Sequence, residues 1–499
     1  MPDADVVIVG AGTAGCLLAR RLSERTGWRV VLVEAGPRYP RVVLDPPLAG
    51  MRLRGPWTER LVTEPQRQLD GRRRDCPIGR VVGGTSSINA MMYVPGAPSV
   101  FDRWAAEGCD GWSAKDLAPC FAAAIGADAP IRVGPPTHVA PFTAAFLSAC
   151  VEDGLHRESW LTGGRAGVCG LFACFQKEGR RVGAALDGLG PRHARRALVL
   201  RVRTPVRRVT IRQGRARGVE LSDGTTINAI REVVLAAGVY HSPLLLQRSG
   251  VGPRDLLGHA GIATVIDRPA VGENLQDHPR VPVVFASGRR SPGHWTRWPG
   301  AAIRYLVRRD GVMASNCCEA GAMLATSPGL PVPDVEVITH FQTSHAAAAV
   351  DIECVLLATT SRGTVRVNPA RPWGPPEVDP RYLSDDREVE RLAAGVGRVR
   401  SIAARPALAG FPLGAEILPG SASDLASEIR RLVSTAHHPA GSCRMGADGD
   451  AVVDPRLRVR GIDGLRVADA SVMPSLPGGH PSATVYAIAE KAARLIADA

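Results

Sequence analysis

Lysine is nearly missing from this chain of 499 residues: Lys115, Lys177 and Lys491 are the only three among 61 basic side chains, and the rest are arginines scattered without a charge run. Aromatic residues make up only 5% of the chain, and none is interleaved with a basic cluster, which argues against a nucleic-acid module. No apolar run reaches the roughly 18 residues that a membrane span needs, so no integral membrane segment is expected. The opening Met1-Pro2-Asp3-Ala4-Asp5 lacks the basic start of a secretory signal, and a soluble cytoplasmic protein is expected. The eleven cysteines form no Cys-x-x-Cys pair and no zinc spacing, so reduced, packed thiols and no metal centre are expected. Internal repeats and low-complexity tracts are also missing.

What remains is a globular composition, 45% apolar and 22% charged, with a formal charge of +13. Such a field can steer an anionic substrate or an acidic membrane surface, although scattered arginines with few lysines also reflect a GC-rich genome. At this length one core is insufficient, and two domains are expected.

The N-terminus carries the first chemical signal. Val6-Val7-Ile8-Val9 reads as a buried strand, Gly10-Ala11-Gly12-Thr13-Ala14-Gly15 follows it, and Leu17, Leu18 and Leu22 mark a helix before Val30-Val31-Leu32-Val33 and Glu34. That strand-helix-strand unit turns a weak glycine pattern into a dinucleotide cradle. Gly10 permits the turn, Gly12 lets a pyrophosphate approach, Gly15 allows helix and strand to pack closely, and the helix N-terminus presents N–H groups to the anion. Glu34 is expected to accept hydrogen bonds from a ribose, which disfavours a 2′-phosphate.

Further along, 198–202, 206–211 and 216–221 read as strands of a small antiparallel layer. Residues 232–238 read as another strand, running into Ser242-Pro243, where proline is expected at a first helical turn. Leu465-Arg466-Val467-Ala468 reads as a strand and 483–496 as a helix. The segments between are rich in Gly, Pro and Trp. The expected division is a discontinuous cofactor domain, 1–100, 196–279 and 431–499, with 101–195 and 280–430 forming a second, substrate-binding domain.

Two histidines near the end, His438 in Thr435-Ala436-His437-His438-Pro439-Ala440-Gly441-Ser442 and His480 in Gly478-Gly479-His480-Pro481, offer general-base capacity near neutral pH.

Taken in order, Gly79-Arg80-Val81-Val82-Gly83-Gly84-Thr85-Ser86-Ser87-Ile88-Asn89, Gly238-Val239-Tyr240-His241-Ser242-Pro243, Val271-Gly272-Glu273-Asn274-Leu275-Gln276-Asp277-His278 and Leu465-Arg466-Val467-Ala468-Asp469-Ala470-Ser471 resemble the signatures of the glucose-methanol-choline oxidoreductases across nearly the whole chain. Val239 departs from the usual small residue. The resemblance implies an α/β fold, a Rossmann-like FAD-binding domain with a discontinuous α+β substrate-binding domain. It implies FAD held by Gly10, Gly12, Thr13, Ala14, Gly15, Glu34, Ala35, Gly83, Thr85, Asn89, Val206, Asp469 and Ala470. Ile88 stands where some members carry a flavin-linking histidine, so the FAD is expected to be non-covalent.

By the same resemblance, His438 is the base that takes the hydroxyl proton of a small-molecule alcohol, and His480 orients that hydroxyl while hydride passes to flavin N5. The product is an aldehyde or ketone, and the electron acceptor is oxygen or a quinone or carrier protein. A non-redox member, a lyase or decarboxylase on the same scaffold, is the alternative. His437 is expected to pack or face solvent. Glu319 is expected near the substrate cavity, or else at the surface or in a salt bridge. Trp295 and Trp298 are expected either at an entrance or in ordinary packing.

Overall fold

The computed structural model describes residues 3–52, 55–190, 197–287, 299–330, 332–340, 349–411, 413–421 and 424–498. Trp295 and Trp298 lie outside these.

The β-branched run at the N-terminus forms strand Ala4–Val9, buried on both faces as a central parallel strand must be. It pairs in parallel with Val30–Val33 on one side and with the C-terminal half of Thr226–Leu235 on the other. Leu198–Arg201 extends the sheet beyond Val30–Val33, and Leu465–Val467 extends it beyond Thr226–Leu235. Between the first two strands of the chain runs helix Thr13–Thr26, closed by Gly27 in the left-handed conformation that a helix end favours.

Two glycines set this geometry. Gly10, at φ +101°, would place a Cβ 2.4 Å from the Ala236 carbonyl, and a Cβ on Gly15 would lie 1.9 Å from the Gly10 carbonyl. No side chain fits at either position.

Leu198–Arg201 therefore departs from the expected antiparallel layer. That layer consists of Val206–Arg212, Arg215–Leu221 and the N-terminal half of Thr226–Leu235. Strand propensity marks 198–201 as extended but does not name its neighbour. A second departure is the helix after residue 237, which begins at Gly238 and runs to Arg248 with Pro243 inside it. The Val239 carbonyl, which residue 243 cannot bond, instead accepts the Ser442 hydroxyl at 2.5 Å.

A second sheet has the order Leu413–Leu418, Pro279–Ser287, Ala349–Leu356, Val335–His340, Ala320–Leu324, Val168–Leu171, His156–Trp160. Its pairings are antiparallel except the last. Ser434–Thr435 pairs with the start of Pro279–Ser287. Helices Pro141–Glu152 and Asp386–Ala403 bury Phe146, Leu392, Val396 and Val399 in this sheet's own core.

The first core also takes side chains from beyond residue 100. Phe101, Trp104, Trp112 and Leu117, on helices Pro98–Ala106 and Ala114–Ala124 and the turn between them, share the first core with Ile8, Leu18 and Ala493. The C-terminal helix, Pro481–Ala497, joins the same core, and its buried Glu490 takes Arg21 and Arg25 of the first helix. All eleven cysteines are buried and none is in a disulfide.

Candidate active site

Where the two sheets meet, a cavity of about 970 Å³ runs from the glycine turn to the C-terminal histidines. At one end Gly12, Thr13, Ala14, Glu34, Ala35 and Val206 line it; Gly10 belongs to the same wall. Gly12, at the N-cap of the first helix, has ordinary extended backbone, and a Cβ there would meet nothing closer than the Ala236 carbonyl at 3.9 Å. The space in front of it is open, as a cradle for a pyrophosphate requires. Glu34 is buried, and its two oxygens accept the N–H groups of Ala11, 2.9 Å, and Gly36, 2.8 Å. Burial raises its carboxyl above the usual range, and these two N–H groups oppose that shift.

The second glycine segment lies across from the first. Thr85 and Asn89 line the cavity, and a Cβ on Gly84 would sit 2.8 Å from the Gly12 Cα, so the two loops touch through glycine. Arg181, fully buried, donates to the Asn89 side chain at 2.8 Å and to its carbonyl at 2.7 Å. Gly15 and Gly83 do not line the cavity. Gly15 closes helix onto strand, and Gly83, at φ +97°, would drive a Cβ to 2.2 Å from the Ser87 hydroxyl. Asp469 and Ala470 border the cavity after strand Leu465–Val467. The Asp469 carboxylate accepts the Gly238 N–H, the Ser242 hydroxyl and the Ser471 N–H, which ties the second signature to the C-terminal segment.

At the other end, His438 and His480 come together with ring centroids 4.3 Å apart. Each arrives from a different core. His438 follows the short strand Ser434–Thr435 on the second sheet, and His480 is the N-cap of helix Pro481–Ala497 in the first. His437 takes a left-handed backbone, φ +64°, and is exposed at the cavity rim.

Sequence reasoning did not single out the partners that hold this pair. His278 Nδ1 lies 3.1 Å from His438 Nδ1. Asp277 accepts the His438 N–H at 2.9 Å through one oxygen and the hydroxyls of Tyr382 and Thr435 through the other. On the far side, Glu336 Oε2 meets His480 Nε2 at 2.9 Å, with the Glu336 side chain fully buried. A lone carboxylate inside the apolar run Val335-Glu336-Val337-Ile338 was the available signal, since an acid is buried there only with a partner.

Burial dominates the electrostatics. It pushes Asp277 up to about 6 and His278 down to about 3, the latter helped by the nearby His480 charge. His438 is held well below the usual histidine range by burial first and then by His480 and His278. A neutral imidazole with one nitrogen tied to His278 is the state of a base, not of an acid.

Glu319 sits beside the cavity rather than in its lining: its neighbour Cys318 lines it, while Glu319, buried and in no salt bridge among the described residues, accepts the Ala140 N–H and the hydroxyls of Thr143 and Ser315, anchoring the start of helix Pro141–Glu152. Other polar groups line the cavity: Arg280, paired with Glu353, and His340, 3.1 Å from the same carboxylate.

Two profiles of the GMC oxidoreductase family match, one over residues 4–280 and the other over 359–489. An uncharacterised GMC-type oxidoreductase of Mycobacterium tuberculosis is 39% identical, covering 99% of both chains. Human mitochondrial choline dehydrogenase is 35% identical over 98% of this chain and 89% of its own. Among solved structures, pyridoxine 4-oxidase from Mesorbium loti superposes with a TM-score of 0.88 at 33% identity, covering 99% of each chain.

Proposed function

The chain belongs to the GMC oxidoreductases, flavoproteins with an FAD-binding fold, and from that membership we propose that it oxidises the CH–OH group of a small-molecule alcohol to an aldehyde or ketone. The observation that carries this reading is the single cavity joining the Gly12–Glu34 cradle to the His438–His480 pair. The open space before Gly12, the acid at residue 34 and a cavity of about 970 Å³ lined from Gly12 to His480 suit FAD. When bound, FAD supplies the acceptor for the hydride that leaves the carbinol carbon.

His438 takes the hydroxyl proton. For Nε2 to accept it, the His438 proton must sit on Nδ1 and be donated to His278, whose burial keeps it neutral and able to receive. Asp277 accepts the His438 backbone N–H and so holds the main chain from which the ring projects. His480 donates to the alcohol oxygen, and Glu336 behind it favours the positive charge that such a donor carries as the alkoxide forms. Ile88 offers no nucleophile for a flavin linkage, so the cofactor is held non-covalently.

The test is anaerobic mixing of FAD-loaded protein with a panel of alcohols in the dark. Bleaching of the flavin absorbance is expected; unchanged absorbance with substrate consumed would overturn the reading in favour of non-redox chemistry. Hydrogen peroxide during aerobic turnover would identify oxygen as acceptor, and reduction of a quinone without peroxide would identify the alternative. Acid precipitation should release the yellow colour into the supernatant, and colour in the pellet would refute non-covalent binding.

A further inference from the structure

Helix Pro299–Arg308 carries its apolar residues on the wrong side for a packed element. Pro299, Ala302, Ile303, Leu306 and Val307 follow the i, i+3, i+4, i+7, i+8 spacing that normally marks a buried stripe. Here that stripe faces water: Ile303 is 60% exposed, Leu306 74% and Val307 76%. The helix is held instead by its opposite face. Tyr305 is buried, and its hydroxyl donates to the Gly179 carbonyl at 3.0 Å. At 100° per residue, Arg304 comes next beyond Val307 at the edge of the apolar stripe and Arg308 lies further round, toward the side of Tyr305; both are exposed, as is Arg309 just past the end of the helix. Arg304 is paired with Asp310, so the net positive charge at this end of the helix is that of Arg308 and Arg309.

A further apolar side chain stands at the same corner. Val42, 88% exposed, lies on the short helix Arg41–Leu44, and the carbonyl of the following Asp45 accepts the N–H of Arg181 from the hairpin that also holds Tyr305.

We propose that this helix docks the protein on an anionic phospholipid surface, lying in the interface with Ile303, Leu306 and Val307 among the acyl chains and the arginines at the headgroups. Apolar side chains bordered by arginine are the composition that binds in this way, because long basic side chains reach the phosphates while their stems stay with the apolar face. The occupant is chosen by charge. A second copy would bring a +13 chain against itself with the arginine flanks facing each other, whereas an acidic bilayer is complementary to them. The helix has ten residues and lies on the surface, in keeping with the absence, among the described residues, of any helix long and apolar enough to cross a membrane.

The experiment is co-flotation of the full-length, FAD-loaded protein with vesicles of phosphatidylcholine alone or mixed with phosphatidylglycerol. The expected result is binding to the mixed vesicles, weakened by salt, and little binding to phosphatidylcholine. An Ile303→Asp, Leu306→Asp, Val307→Asp variant should lose at least tenfold in binding while keeping its flavin spectrum and melting temperature, since these side chains support no core. An Arg308→Ala, Arg309→Ala variant should lose roughly thirtyfold, from about 1 kcal/mol per basic residue at an acidic surface. The proposal is overturned if the unaltered protein does not float with the acidic vesicles or if the aspartate variant binds equally well. It is also overturned if light scattering finds a dimer that the aspartate variant converts to monomer, since a second copy would then cover the face.

Discussion

The His278 and His438 rings stand perpendicular, with their Nδ1 atoms 3.1 Å apart, so one proton serves both nitrogens. Whichever ring donates it fixes the tautomer of the other, and only donation by His438 leaves its Nε2 with a lone pair for substrate. His438→Ala should retain FAD and slow anaerobic flavin reduction by about a hundredfold to ten-thousandfold, the range for a lost general base. His278→Ala should slow it less, and His278→Asn, which restores an acceptor, should recover part of that loss. Equal rates in His278→Ala and unaltered protein would show that His278 does not set the tautomer.

Acid should destabilise the fold through the same pair. His278 is held at about 3 in the folded state, against about 6.5 for the free side chain. The folded chain therefore binds fewer protons between those values. The stability linked to His278 is fully present above pH 6.5 and is lost as pH falls toward 3, at up to about 1.4 kcal/mol per pH unit. Asp277 acts in the opposite sense: its raised value, about 6, favours the folded state below the ordinary carboxylate range and loses that contribution as pH rises through 6. Melting temperatures measured from pH 7 to 5 should fall, and the fall should be shallower in a His278→Gln variant.

Glu336 should matter to rate more than to cofactor binding. Glu336→Gln preserves the shape and a hydrogen bond to His480 but removes the buried charge behind it. Flavin reduction should slow by about tenfold or more, as for a lost electrostatic contribution of 1 to 2 kcal/mol at a developing anion. Flavin content should be unchanged, and a normal rate would assign Glu336 to structure alone.

The two glycines of the first turn should separate folding from binding. Gly15→Ala places a methyl group against the Gly10 carbonyl and should lower the melting temperature of the protein with or without FAD. Gly12→Val points into open cavity from ordinary backbone, so the apoprotein should melt normally while purified protein carries little flavin. Glu34→Ala should weaken FAD retention as well, and it strands the N–H groups of Ala11 and Gly36.

Much of this molecule is local enough to read from the chain. The cradle is one, because strand, glycine turn, helix and acid all fall within thirty-four residues and each is constrained by its immediate neighbours. Helix Pro481–Ala497 is another, since its apolar spacing and its proline at the first turn are properties of one segment. Partners were the part that sequence left out. Residues 198–201 are extended either way, yet whether they join Val30–Val33 or a hairpin depends on which edge is open. Trp104 and Trp112 announce burial without saying in which core.

The same division holds at the site. The sequence by itself determined that His438 and His480 exist on a flavoprotein framework, through motifs carried in short segments. Only the tertiary structure decided that the two rings stand 4.3 Å apart, with His278 and Asp277 behind one and Glu336 behind the other. Those partners lie 144 to 161 residues away along the chain, and no local preference reports a contact that exists only after two sheets have packed against each other.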